Sequence, residues 1–348
     1  MRRKKARGFL LVLFFIISLR LVLPMTVFAG VQSKPETIKA VIEPGLAAKY
    51  PGDKNISQDA DVIFATDFES GITGWTEFRN KSAITINKDP AIVCGDSACV
   101  QITAIHKKDE GGDLSFHLPV PQEQLYVRFY VRFHKDTFMA GHFVNMRALK
   151  LQPRFWPNAG SRPPGDKGYW STICPPLPEK NETWRFYTYW HEMHSWQNED
   201  GSPNNPPDGD GRSFYGNTFF PFKEPGKFER EKWYCVEFML KANTPGKHDG
   251  EQAAWIDGEK IMHWKTGCID GIWFRDRFCF SEDWIKNPKP FEGFNWRTDP
   301  NLKINIVNFQ WWVPDYQSVE STNGICIVYF DDIVVAKKYI GPRVEKSS

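Results

Sequence analysis

The same few polar residue types recur in separate stretches of the chain: Arg128, Tyr130 and Arg132; Arg147 and Lys150; Tyr187, Tyr189 and His191; Asn308 and Gln310. Together they suit one kind of reaction. A guanidinium or an amide holds a carboxylate and spreads its charge, which acidifies a proton on the neighbouring carbon. A phenol or imidazole can then take that proton and return one to a departing oxygen. Arg128, Arg147, Tyr189, His191 and Gln310 are the candidates for those roles. Tyr126, Tyr130, Arg132, Lys150, Tyr187, Lys241, Asn308 and Trp312 are the candidates for holding the rest of a polar ligand. Taken singly, each is also what the wet face of an antiparallel sheet ordinarily carries. The repetition on several stretches is what lifts the group above its members.

These residues are positioned by stretches with the period of two that marks a half-buried strand. In 125–134 Val127, Phe129, Val131 and Phe133 alternate with Tyr126, Arg128, Tyr130, Arg132 and His134, and the polar face of this stretch is expected to be the working one. The stretch 184–196 sets Arg185, Tyr187, Tyr189 and His191 against Phe186, Thr188 and Trp190. The stretch 233–243 sets Glu237 and Lys241 against Val236, Phe238 and Leu240. Further strands are expected at 62–65, 83–86, 99–105, 113–118, 142–151, 303–313 and 325–335, with a hairpin across Asp257-Gly258. The intervals 153–183, 197–232 and 268–300 are rich in Pro and Gly and read as irregular. Nothing beyond the N-terminus shows sustained helical periodicity. The expectation is an all-β sandwich of two antiparallel sheets with long loops, in one domain at 61–342. A linker or extended arm at 30–60 precedes it and a short tail at 343–348 follows.

The N-terminus reads as a leader, with five basic residues before an apolar run and small residues before a cleavage point after Ala29. It carries six of the 44 Lys and Arg and none of the 42 Asp and Glu, so the chain beyond it stands at −4. A mildly acidic secreted or periplasmic protein has no basic field for nucleic acid, and once the leader is removed none for a membrane. Seven Cys in such a chain suggest disulfide staples, with Cys94–Cys99 and Cys268–Cys279 as the closable loops. Asp67, Glu69 and Asp332, at the first and last strands, offer hard oxygen ligands for a structural calcium ion. His191 and His194 lack the spacing of a helical zinc motif. Trp156, Trp170, Trp190, Trp196, Trp311 and Trp312 could stack on sugar rings, with core packing as the ordinary alternative for those on strands.

The order of the stretches VIFATDFESG, LYVRFYVRF, WYCVEFMLKANTPG, AAWIDGEKI and IVYFDDIVVAKKYIGP resembles the concanavalin-A-like jelly rolls of secreted polysaccharide lyases of the alginate and glucuronan type, and related proteins. The resemblance covers most of 61–342. It implies a jelly roll whose concave face binds an extended anionic polysaccharide and cleaves a uronate-containing glycan by β-elimination, with no cofactor required for catalysis. The Glu-x-Asp-x-x-Glu strand of jelly-roll glucanases is absent, as are the Gln-Ile-His and Tyr-Phe-Lys motifs of one alginate-lyase group. The site therefore rests on the chemistry above. Two alternatives stand beside it: a non-catalytic glycan-binding or envelope protein, and a hydrolase with atypical carboxylates, Glu237 first.

Overall fold

The computed structural model describes residues 44–137, 143–176, 183–195, 214–313 and 324–345. The leader and the first part of the expected arm lie outside the described residues, as does Trp196. In the first half of the chain the strands are β1 (Val62–Thr66), β2 (Glu77–Arg79), β3 (Ile84–Asn87), β4 (Cys99–Ile105), β5 (Gly111–Gln122), β6 (Gln124–Phe133), β7 (Val144–Leu149) and β8 (Gly168–Cys174). In the second half they are β9 (Arg185–Tyr189), β10 (Asn217–Phe219), β11 (Trp233–Lys241), β12 (Glu251–Ile256), β13 (Glu259–Trp264), β14 (Asp270–Phe274), β15 (Arg277–Cys279), β16 (Lys289–Pro290), β17 (Ile304–Trp312) and β18 (Ile325–Ala336).

They form two sheets. One runs β13-β12-β11-β6-β18-β4-β3, with β1 on β18; the other runs β16-β14-β15-β10-β9-β8-β7-β17-β5-β2. Pairing is antiparallel except between β10 and β15. This is the expected β-sandwich. The apolar residues of β6 fill the space between the sheets: Phe129 packs edge-on against Phe309 of β17 at 5.2 Å and against Phe330 of β18 at 5.9 Å. Val127, Val131 and Phe133 are fully buried beside it. Branched and aromatic side chains at every second position make that packing possible, because strand alternation sends them all to one side.

Three intervals read as irregular contain strands. β8 lies inside 153–183, β10 inside 197–232, and β14 to β16 inside 268–300. In the first case the prolines are confined to 153–164 and 175–178, so 168–174 is free to pair; averaging over the interval concealed it. From Pro44 onward the expected arm is built as three short 3-10 turns, Leu46–Lys49, Pro51–Asp53 and Ile56–Gln58. Leu46 and Ala47 donate backbone N–H groups to the carbonyls of Tyr339 and Ile340, and Gly52 to Val344. The two terminal segments thus form a paired strap over the outer face of the first sheet.

That strap overturns the expectation that the polar face of β6 is the working surface. Arg128 is 0% exposed, with Nη2 on the carboxylate of Asp53. The Tyr130 hydroxyl accepts the Arg343 backbone N–H at 3.0 Å, and Tyr126 packs against Leu46, Ile56 and Ile340. Glu237 is 2% exposed and accepts the backbone N–H groups of Ile340 and Gly341, both at 2.8 Å. It anchors the strap and has no path to a ligand, which removes it as a hydrolytic carboxylate.

The disulfide expectation is also corrected: Cys94, Cys99, Cys268 and Cys279 are free thiols. Burial, with Asp331 beside them, pushes Cys94 and Cys99 up to about 12. The calcium expectation finds no support, since its carboxylates are otherwise engaged. Asp332 is engaged by the guanidinium of Arg343, Glu69 by the backbone and hydroxyl of Ser97, and Asp67 by the Glu69 N–H. No group of three or more His, Cys, Asp or Glu among the described residues could hold a metal ion. A cation fixed in the chain serves Asp332.

Candidate functional site

The outward face of the second sheet carries most of the remaining candidates, because its strands alternate in step. One ladder row runs His117, Ile306, Arg147, Trp170, Tyr189 across β5, β17, β7, β8 and β9. The next runs Glu77, Ser115, Asn308, Asn145, Thr172, Tyr187. Val144, Met146, Ala148, Phe186, Phe309 and Trp311 point the other way, into the core. Partners in a ladder share a face, so Arg147, Tyr187, Tyr189 and Asn308 are brought to one side of the sheet, Arg147 and Tyr187 half-buried and Tyr189 and Asn308 buried.

Arg147 stands at its centre. Its Nε donates to Asn145 Oδ1 at 2.6 Å and its Nη2 to Asn308 Oδ1 at 3.0 Å. Asn145 Nδ2 donates to the same Asn308 oxygen at 3.1 Å, and Asn308 Nδ2 to Ser115 Oγ at 2.8 Å. The guanidinium is thus oriented by two neutral amides and forms no salt bridge with a described residue. Two carboxylates lie near enough to favour its charge, but each has its own cations. Asp113 is gripped by Arg79 through Nε at 3.1 Å and Nη2 at 2.7 Å; Glu77 meets His117 at 2.9 Å and Arg154 at 3.3 Å. Burial lowers the Arg147 pKa, with Asp113 and Glu77 opposing it. A half-buried cation held by amides and lacking a counter-ion is costly unless an anion arrives.

Beside it, across Trp170, are the two phenols. Tyr189 stacks on Trp170 at 4.5 Å, and its hydroxyl lies 3.2 Å from that of Tyr187. Gly216 lets the backbone pass close over the Tyr187 ring, where a Cβ would come within 2.6 Å of it. Burial, with Tyr189 adding to it, raises the Tyr187 phenol well above its ordinary value, so it stays protonated. His191 follows β9 at the same edge and packs against Gly165, where a Cβ would meet its ring at 3.0 Å. Its Nε2 is 3.6 Å from Glu192 Oε1, and its buried Nδ1 has no hydrogen-bond partner among the described residues. Glu192 in turn accepts Asn295 Nδ2 at 2.7 Å and meets His248 Nε2 at 2.9 Å.

Of the other candidates, Gln310 lies on this face and donates to Asp113 Oδ2 at 3.2 Å, so it braces the acidic side of the groove. Trp312 lies further along β17 and donates to Glu110 at 2.8 Å. Lys150 is exposed just past the end of β7. Arg128, Tyr126, Tyr130, Arg132 and Lys241 belong to the first sheet and do not join the group. Lys241 pairs with Glu251 at 2.6 Å and Arg132 donates to the Ala91 carbonyl. Trp190 and Trp311 are core residues. Trp156 is 63% exposed, with the Arg154 guanidinium 4.1 Å from its ring.

Sequence reasoning missed Asn145, Ser115, Asp113, Glu77 and His117. Their signal was present: Asp113, Ser115 and His117 alternate with Leu114, Phe116 and Leu118, and Asn145 stands two residues before Arg147 on one strand.

The fold and this face define a β-sandwich whose second sheet carries, on the side away from the core, rows of polar residues flanked by aromatic rings. No protein family matches the chain as a sequence, and no curated protein does. Among solved structures it is similar to an alginate lyase, over 80% of this chain and 98% of that one, at 14% identity and a TM-score of 0.49. It is similar to an alginate lyase from Chlorella virus over 80% and 100%, at 14% identity and 0.48. It is similar to the endo-β-1,4-glucuronan lyase of the fungus Trichoderma reesei over 79% and 95%, at 13% and 0.44.

Proposed function

We propose that the groove binds a uronate-containing polysaccharide and cleaves it by β-elimination. The observation that carries this reading is Arg147, a half-buried guanidinium aligned by Asn145 and Asn308 that forms no salt bridge with a described residue. A uronate carboxylate supplies the missing anion. Charge drawn onto Arg147 and withdrawn from the sugar acidifies the C5 proton. His191 or Tyr189 takes that proton, the C4–O bond breaks as the C4=C5 double bond forms, and the leaving oxygen receives a proton from a neighbouring phenol. Tyr187, held protonated by its surroundings, is suited to donate and unsuited to act as base. Arg147 provides the positive charge for the reaction, so catalysis calls for no cofactor. The partner is an anionic polysaccharide, met outside the cytoplasm once a leader at 1–29 is removed.

The test is ultraviolet absorbance of unsaturated product while the protein is incubated with a panel of uronate polysaccharides, alginate and glucuronan among them. A rise that Arg147→Met abolishes, and that either His191→Ala or Tyr189→Phe abolishes as well, supports the reading. Binding of the polymer without a rise, equal in wild type and His191→Ala, would replace it with a non-catalytic glycan-binding role. New reducing ends without the absorbance would mean hydrolysis.

A further inference from the structure

The second row of the groove does not stop at Tyr187. Tyr187 pairs with Thr218 of β10, Thr218 with Arg277 of β15, and Arg277 with Phe274 of β14. Thr218 and its neighbour Phe219 confirm the alternation, since Phe219 is fully buried among Trp264, Phe291 and Phe294. Trp273 likewise packs on the core side, against Phe219 and Trp190. Arg277 and Phe274 are therefore on the face that carries Asn145 and Asn308. Four strand spacings separate β7 from β15, roughly 19 Å at about 4.8 Å each.

At that end the surface opens into a cavity of about 380 Å³, bounded by Phe220, Phe274, Arg277, Glu282 and Trp284 among others. The volume is in the range of pockets that enclose small ligands. Trp284 is 48% exposed and meets Phe274 edge-on at 5.4 Å. Arg277 is exposed, lies 5.9 Å from the centre of the Phe220 ring, and forms no ion pair with a described residue. Asp276 beside it is buried, its pKa raised by burial against the opposing pull of Arg277, and Glu282 accepts the Ser281 N–H. Toward the β2 edge of the same sheet a guanidinium again lies over an exposed aromatic ring, Arg154 over Trp156, beside Glu77. Aromatic faces take the C–H side of a sugar ring, and a planar guanidinium takes its carboxylate.

We infer that the Phe274, Arg277 and Trp284 cavity is a distal subsite of the groove, holding a uronate ring of the bound polymer several rings away from the one on Arg147. This rests on the uronate-binding reading of the groove. It makes the protein a reader of chain length. Oligosaccharides too short to cross roughly 19 Å engage only the centre, and longer ones gain a second anchor.

The experiment is calorimetric titration of saturated uronate oligosaccharides graded by length into wild type, Arg277→Gln and Trp284→Ala, with far-ultraviolet circular dichroism to establish that each variant is folded. Wild type is expected to tighten stepwise once the oligomer spans the distance. Each variant should lose that step, roughly tenfold for a charge-assisted contact, and bind short oligomers as wild type does. A length step that both variants retain, or an equal loss at every length, would overturn the distal subsite and leave the central one standing. If wild type binds no uronate oligomer of any length, the groove reading itself fails and the subsite with it.

Discussion

Glu237 gives the sharpest test of the reasoning, because one buried carboxyl carries the strap. Its two oxygens accept the N–H groups of Ile340 and Gly341, and Arg128 lies nearby, yet burial outweighs them and pushes its pKa from 4.5 up to about 7. The folded protein therefore keeps a proton that the unfolded chain releases at about pH 4.5. The resulting stabilisation is complete below pH 4.5 and is lost as pH rises to about 7. The shift of 4.5 to about 7 corresponds to about 3 kcal/mol at 1.36 kcal/mol per unit. Asp331, pushed up to about 8, and Asp332, to about 6, slope the same way. Urea unfolding of wild type alone would mix the three. Glu237→Gln separates them. The amide sets a donor against one of the two N–H groups, which costs stability, but that cost does not change with pH. The difference between variant and wild type should move in the variant's favour by about 3 kcal/mol between roughly pH 4 and roughly pH 8. A difference that stays constant across that range would show Glu237 ionised throughout, with the two N–H donors prevailing over burial.

Other outcomes follow from the same geometry. Asn145→Asp places a carboxylate against Arg147; uronate binding should fall at least about tenfold while the melting temperature holds or rises, as titration and calorimetry would show. Arg147→Lys keeps the charge but loses the fork that the two asparagines orient, and kcat/KM on a uronate polymer should drop by about 10² or more. Phe129→Ala empties the centre of the core between Phe309 and Phe330 and should cost about 3–5 kcal/mol in denaturant unfolding. Cys94 and Cys99, held protonated by burial, should react slowly with iodoacetamide at about pH 8 in the native protein and quickly once unfolded.

The core was legible where alternation is strict. Val127, Phe129, Val131 and Phe133 read as one buried face and are one. The outer side of the same strand misled, since an exposed row and a row covered later by another segment have the same pattern. The covering segments, 45–58 and 339–344, have no periodicity to announce them. Their contacts are backbone hydrogen bonds, isolated ion pairs such as Arg128 with Asp53 and a small apolar cluster of Leu46, Ala47, Ile56 and Ile340, made between residues far apart in sequence. The groove was half legible. Arg147, Tyr187, Tyr189 and Asn308 were chosen by chemistry, and ladder register, which no single strand reveals, is what unites them. The same register is why Arg277 was invisible: β15 is three residues long and pairs with β10 in parallel.

The position of β18 decides when this molecule can fold. The last described strand lies inside the first sheet, between β6 and β4, and also receives β1; β17 likewise lies inside the second, between β5 and β7. Neither sheet can close until the chain has been made as far as β17 and β18. A ribosome-bound chain ending before 304 lacks the middle of both layers. Because closure joins segments hundreds of residues apart, it is slow on the scale of small domains.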